Sequence, residues 1–331
     1  MLMIDRDDLI PAYRKLTDKV HEHGVPIVLQ IAHCGRQTRS AVTGKPTVAP
    51  FSVKDSVFSE SKPRKLGEEE IETIIENFAA ATQRAELAGF DGVQLHLGHG
   101  YLLSQFLSGH TNRRKDKWGG TTENKFRIVA EIMSRIRSSL DSYPVLAKIN
   151  AYDTRPKGMR IDEAVAIAQM LETAGCNAIE ISSGVAEEGL SVMRGPNPPV
   201  QALFRSHFKF RTMPAPIRTI STPLVRHTMR PRIPIRGNNL EAAKRIRQEV
   251  SIPVITVGGL HELTTISSAI ETGATDYVAM CRPFIIEPTI VRRFREGTQT
   301  ASRCILCNYC VLMVEMNRMK CYYGRLPKKE Q

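Results

Sequence analysis

No apolar run in this sequence approaches the roughly 20 residues that a membrane-spanning helix needs, so no membrane partner is expected. The opening residues, Met1-Leu2-Met3-Ile4-Asp5-Arg6-Asp7-Asp8, carry neither a basic n-region nor an apolar core. No secretion signal is read there, and a cytoplasmic location is expected. No Gly-x-Gly-x-x-Gly follows a first strand, which removes the main signature of a Rossmann domain. Acidic residues are missing altogether between Gly189 and Gly237, where nine Lys or Arg stand. That stretch reads either as a solvated basic loop or as a surface for an anionic partner. No nucleic-acid motif accompanies it, so nucleic acid is not an expected partner.

What is present fits a globular protein. The 331 residues are 42% hydrophobic and 24% charged, with a net charge of +12. That length suits one large domain or two modest ones. Cys34, Cys176 and Cys281 are scattered, whereas Cys304, Cys307, Cys310 and Cys321 cluster. Outside an oxidising compartment, such clustering points to metal binding before disulfides.

Apolar runs alternate with stretches of helical periodicity. Strands are expected at 25–32, 91–96, 144–150, 177–182, 252–257 and 276–280. Helices are expected at 6–23, 68–87, 123–139, 161–174, 239–249, 262–272 and 283–296. A polar loop is expected from His33 to about residue 66, and a long basic loop at 185–238. The alternation implies parallel strands joined by right-handed crossovers, with apolar residues on both faces. Either a (β/α) barrel or an open doubly wound sheet satisfies it. The loops Val257-Gly258-Gly259 and Met280-Cys281-Arg282-Pro283 follow consecutive strands. In barrels the loops after strands seven and eight often grip a phosphate, and glycines allow close backbone approach while an Arg adds a forked donor. The other reading is a tight βα turn with a surface Arg. Counting back from these loops makes the six strands numbers three to eight. A TIM-type barrel apparently lacking its first two strands is therefore expected, either truncated, open, or completed by another chain. The expected division is a barrel domain over 1–300 with the basic insertion at 185–238, then a Cys-containing segment over 301–331.

The stretch from Gly89 to Leu107 stands out. Phe90-Asp91-Gly92-Val93-Gln94-Leu95-His96 reads as a buried strand, and His96, His99 and Tyr101 follow within six residues of one another. The C-terminal ends of parallel strands are where α/β folds keep their chemistry.

Leu29-Gln30-Ile31-Ala32-His33-Cys34-Gly35-Arg36, the stretch just described, Thr111-Asn112-Arg113-Arg114, Trp118-Gly119-Gly120 and Arg282-Pro283-Phe284 together resemble the old yellow enzyme (NADH:flavin oxidoreductase) family. The nearest likeness is to the branch with 2,4-dienoyl-CoA reductase and trimethylamine dehydrogenase. The resemblance covers residues 5 to about 325. It implies a TIM barrel holding FMN, reduced by NADH or NADPH, that reduces an activated C=C bond. In that likeness His96 and His99 hold a carbonyl oxygen, and Tyr101 protonates the α-carbon. Gln30 meets the pyrimidine edge of the flavin, and Lys148 stands near its N1–C2=O side. A lysine in the otherwise apolar run Val145-Leu146-Ala147-Lys148-Ile149 needs a partner in any case. Gly258, Gly259, Cys281 and Arg282 fall on the phosphate grip, with Cys at a position usually Gly. Cys304-x2-Cys307-x2-Cys310-x10-Cys321 corresponds to the four-Cys set of an iron–sulfur branch, with shorter second and third gaps, and implies a [4Fe–4S] cluster. Four-sulfur zinc and unmetallated thiols are the alternatives.

Two further readings stay open. One is a truncated, non-catalytic relative unable to hold FMN, and the other a barrel enzyme acting on a phosphorylated substrate. The basic stretch fits an anionic or CoA-linked substrate, and a homo-oligomer is compatible with all of them.

Overall fold

The computed structural model describes residues 2–57, 61–191, 195, 200–207, 210–228, 236–313 and 318–324. Parts of the expected insertion at 185–238 (192–194, 196–199, 208–209 and 229–235) lie outside the described residues, as do 314–317 and 325–331 of the Cys-containing segment.

In chain order the elements are α1 (Ile10–His21), β1 (Val28–Ile31), α2 (Ser40–Thr43), β2 (Val48–Ala49), β3 (Arg64–Lys65), α3 (Glu68–Leu87), β4 (Gly92–Leu97), α4 (Leu102–Leu107) and α5 (Thr122–Ser139). There follow β5 (Val145–Asn150), α6 (Ile161–Thr173), β6 (Ala178–Ser182), α7 (Val200–Ser206), α8 (Ala215–Thr228), α9 (Leu240–Arg247), β7 (Val254–Val257) and α10 (Leu263–Glu271). The last are β8 (Tyr277–Ala279), α11 (Arg282–Ile286), α12 (Ile290–Arg295) and α13 (Tyr309–Met313). Among the described residues no helix is long and apolar enough to cross a membrane. The chain divides into two compact units, residues 1–188 with 242–255, and residues 189–241 with 256–331.

The first unit holds a parallel sheet in the order β1-β4-β5-β6, with the start of β7 beside β6. Ile179 N–H donates to Pro253 O at 2.9 Å on that last side. The strands have two different faces. Ile31, Val93, Leu95, Leu97, Val145, Ala147, Ile149, Ile179 and Ile181 belong to one buried core with the helices. Alternate positions on the same strands carry Gln30, Gln94, His96, Lys148, Asn150, Glu180 and Ser182, as the period of two requires. The expectation of strands apolar on both faces therefore fails in a useful way, because one face is polar.

Helix α3 shows why these segments fold as they do. Ile71, Ile74, Ile75, Phe78, Ala81, Thr82 and Ala85 recur at three- and four-residue spacing and are all buried. Its start is fixed by Glu70, whose carboxylate accepts from Gly67 N–H at 2.9 Å, with Glu68 and Glu69 at the positive end of the helix. Its end is Gly89 at φ +80°, where an added Cβ would lie 3.0 Å from both Arg14 and Thr17 side chains. The chain then turns straight into β4.

In the second unit the end of β7 neighbours β8, and Thr256 Oγ1 donates to Thr275 Oγ1 at 2.9 Å. Two expectations are corrected here. The basic loop contains α7 and α8. The helix expected over 283–296 is broken into α11 and α12 at Glu287-Pro288-Thr289. Pro288 has no N–H to donate and disfavours a helical Glu287. The Glu287 side chain, 1% exposed, instead accepts from Arg303 N–H and Nε and from Ser302 Oγ and Gln299 Nε2.

Candidate active site

A row of polar side chains crosses the polar face of the first unit's sheet, most of them buried. Strand register sets Gln30 opposite Gln94, and Lys148 between His96 and Glu180. Gln30 Nε2 donates to Gln94 Oε1 at 2.6 Å, and Gln94 Nε2 donates to Glu180 Oε2 at 2.8 Å. Lys148 Nζ meets Glu180 Oε1 at 2.9 Å. The partner that Lys148 required is thus a neighbouring-strand carboxylate.

The end of β4 carries the second cluster. The His96 and His99 rings are 5.0 Å apart and nearly perpendicular, and the His96 and Tyr101 rings are 4.8 Å apart. The three predicted side chains therefore do come together. A sharp backbone turn makes this possible, with His99 at φ +59° and Gly100 at φ +82°. An added Cβ at Gly100 would fall 2.3 Å from Gln37 Nε2, so the turn needs glycine there on space as well as angle. His99 is fixed on every side. Its N–H donates to Asn150 Oδ1 at 3.1 Å, and its carbonyl accepts from Gln37 Nε2 at 2.9 Å and from Ala186 N–H at 3.2 Å. Its Nε2 lies 2.7 Å from Ser182 Oγ.

Protonation states follow from this packing. Burial, and then the nearby Lys148 ammonium, push His96 down to about 3. Burial also holds His99 well below the usual imidazole range, with His96 and Lys148 adding to the effect. Both rings are neutral near pH 7. Gly98 N–H approaches His96 Nδ1 at 3.4 Å, which leaves the His96 proton on Nε2 as a donor. Tyr101 is pushed up by burial and by Cys34 beside it, so the phenol keeps its proton. The arrangement offers neutral N–H donors and one protonated hydroxyl at one place, without a fixed negative charge on any of the three.

A keystone holds the surrounding loops. Arg36, after β1, and Glu187, after β6, form an ion pair at 2.5 Å, each side chain 1% exposed. The Arg36 guanidinium also donates to Val53 O and Lys54 O, and Ser56 N–H donates to Glu187 Oε1 at 3.3 Å. His110 Nε2 stands 3.4 Å from the same carboxylate. Burial alone would raise Glu187, but His110 and Arg36 overcome it and hold the carboxyl at about 2. Two residues earlier Val185 bridges His99, so the keystone abuts the histidine cluster.

In the second unit Gly258 and Gly259 have φ +130° and +66°. A Cβ at Gly258 would come within 2.8 Å of Asn238 Oδ1 and Asn239 Nδ2, so only glycine fits that turn. Cys281 is exposed and precedes α11, whose first residue is Arg282. Arg282 Nη1 donates to Asn308 Oδ1 at 2.6 Å. Burial lowers the Arg282 pKa, with the four thiols Cys304, Cys310, Cys281 and Cys307 acting the other way. Cys304, Cys307, Cys310 and Cys321 line one narrow cavity with Arg282 and Tyr322. Among the described residues, no three His, Cys, Asp or Glu stand close enough to hold a single metal ion.

Sequence reasoning passed over Gln94, Glu180, Asn150, Ser182, Arg36 and Glu187 as individual site residues. The signal for the first four was in the strands themselves, where Gln94/His96, Lys148/Asn150 and Glu180/Ser182 each recur two apart. For Arg36 and Glu187 no local signal exists, since they are 151 positions apart.

The donor set of the first unit fits FMN, because amide, carboxylate and ammonium groups stand in one row on the polar sheet face. Known proteins agree with the fold. The chain is 35% identical over 310 residues to an NADH oxidase of Thermoanaerobacter brockii, covering 93% of this chain and 42% of that one. It therefore spans less than half the length of that relative. Among solved structures it resembles a 2-naphthoyl-CoA reductase in complex with 2-naphthoyl-CoA (TM-score 0.78, 24% identity, 96% of this chain and 45% of the other). It also resembles an old yellow enzyme homologue from Zymomonas mobilis (TM-score 0.69, 22% identity, 91% and 76% covered). These two likenesses speak to the fold, an α/β sheet of TIM-barrel type. Residues 1–200, which include the whole polar row and the histidine–tyrosine cluster, match a family at the level of sequence, and the chain belongs to the NADH:flavin oxidoreductase / NADH oxidase family.

Proposed function

We propose that this chain serves an FMN-dependent NAD(P)H oxidoreductase of the ene-reductase type. The observation that carries the reading is the meeting of two neutral imidazoles and a protonated phenol beside the Gln30–Gln94–Glu180–Lys148 row. FMN, when bound, supplies hydride transfer from a nicotinamide to the β-carbon of an activated alkene. Gln30 and Lys148 would hold its ring edge. Gly258, Gly259, Cys281 and Arg282 of the second unit are the residues assigned to its phosphate.

His96 and His99 bind the carbonyl oxygen of the substrate and stabilise the negative charge that develops there. Neutral rings can fill this role, because a neutral imidazole still keeps one N–H donor. Tyr101 delivers a proton to the α-carbon, and its raised pKa keeps that proton in place. The basic stretch 189–237 suits an anionic substrate. A solved neighbour carries a CoA thioester, which supports that substrate class here.

The four clustered cysteines are assigned to a [4Fe–4S] cluster. Their convergence on one cavity supports this. A single zinc with bonds near 2.3 Å would need sulfurs within about 4 Å of one another, whereas a four-iron cluster spreads its thiolates over separate irons.

The visible spectrum tests the reading. Protein reconstituted with FMN should be yellow, bleach anaerobically with NADH or NADPH, and recover colour on adding an enone. A protein that stays colourless with added FMN overturns it. Iron and acid-labile sulfide on the same sample decide the cysteine assignment, which their absence after anaerobic reconstitution would remove.

A further inference from the structure

The polar row has a direction, and one residue sets it. Glu180 is a carboxylate, so both of its oxygens can only accept. Lys148, which can only donate, takes Oε1. The group facing Oε2 must also donate, so Gln94 turns its Nε2 there. That leaves Gln94 Oε1 toward β1, and the neighbour on β1 must donate in turn. Gln30 does so with Nε2. Its carbonyl Oε1 is thereby turned away from the row. Gln94 and Glu180 are 9% and 7% exposed, so water does not compete for their bond, while Gln30 at the end of the row is exposed. Three amide and carboxylate orientations are fixed by chemistry alone, whatever atom names are assigned to the amides.

We infer that Glu180 is a positioning residue that, through Gln94, fixes Gln30 to present a hydrogen-bond acceptor to its ligand. The ligand edge selected is one bearing an N–H donor, as in an imide. This rests on the FMN reading, since the isoalloxazine imide N3–H is the donor in question. Glu180→Gln then has an unusual consequence. Lys148 would still claim the oxygen of the new amide, so the nitrogen would face Gln94. Gln94 would reverse to accept it, and Gln30 would reverse after it. The same side chains would remain in place, but Gln30 would present an NH2 group where it had presented a carbonyl.

The test compares binding of FMN and N3-methyl-FMN, followed by flavin fluorescence, in wild type, Glu180→Gln and Gln94→Leu. The second variant leaves the Lys148–Glu180 pair intact and only cuts the row. Wild type should prefer FMN by about tenfold, the effect of one unmatched polar contact. In Glu180→Gln the preference should fall to within about twofold, whereas in Gln94→Leu the released Gln30 can still turn its carbonyl to the imide and the preference should persist. Bulk of the methyl group alone would leave the preference unchanged in Glu180→Gln as well, and that result overturns the inference. Equal binding of the two flavins by wild type also overturns it while leaving the FMN reading intact. Wild type that binds neither flavin overturns both.

Discussion

Removing the charge of Glu187 should destabilise the first unit by about 3 kcal/mol. Two ways of weighing the same ion pair agree on the figure. The carboxyl sits at about 2 instead of its ordinary 4.5, and that difference converts to about 3 kcal/mol of linkage. Breaking a buried ion pair by removing one partner costs about 3–5 kcal/mol, because the other charge stays buried. Arg36, 1% exposed, would be that stranded charge. Glu187→Gln keeps the shape and one acceptor, which places it at the low end. Trp118, the sole tryptophan and 2% exposed, lies in the first unit and reports its unfolding. With a urea dependence of about 2–3 kcal/mol per molar, the midpoint should fall by roughly 1–1.5 M at pH 7. The pH dependence has a fixed sign. A depressed pKa contributes stability above the unfolded value, near 4.5, and loses it as pH falls toward about 2. Wild type should therefore approach the variant as acid is added across that window. Coincident Trp118 transitions at pH 7 would refute the keystone role.

Other outcomes follow from the same geometry. Replacing both His96 and His99 with Ala should abolish the charge-transfer band of bound phenols while flavin stays bound, and undiminished phenol binding would remove them from the site. Tyr101→Phe should leave flavin reduction by NAD(P)H unchanged and slow alkene reduction by about 10²–10⁴-fold. In wild type any alkaline loss of that second half-reaction from Tyr101 ionisation should come later than for an ordinary phenol, because the Tyr101 pKa is raised by burial and by Cys34. An earlier alkaline fall that disappears in the Phe variant would contradict this. Arg282→Ala should weaken FMN binding at least tenfold and leave riboflavin, which has no phosphate, unaffected. Equal losses for both flavins would take Arg282 out of the phosphate grip.

The strands were legible because short apolar runs alternate with helical periodicity, and each expected strand ends within three residues of an observed one on either side. Helix α3 was legible to the residue because Gly67, three glutamates and Gly89 mark its ends. The break at Pro288 was also written in the chain, and apolar periodicity across 283–296 concealed it. Helices α7 and α8 were hidden for a different reason. Prolines and arginines crowd that stretch, and Pro223 lies inside α8 itself. The site was half legible. His96, His99 and Tyr101 are near neighbours in sequence, so a strand end brings them together. Gln94 and Glu180 are 86 positions apart, and only strand register makes them partners. A carboxylate that orients an amide two strands away leaves no local trace.

The turn at His99 limits what can replace it. At φ +59° a β-branched or bulky side chain is strained, whereas Asn, Asp and His tolerate the left-handed region. Asp would bring a negative charge against the oxyanion proposed to develop there. Asn alone among them keeps a neutral N–H donor. Variation at this position, natural or engineered, is thus channelled toward a single alternative, and a library built there can be reduced to one informative member, His99→Asn.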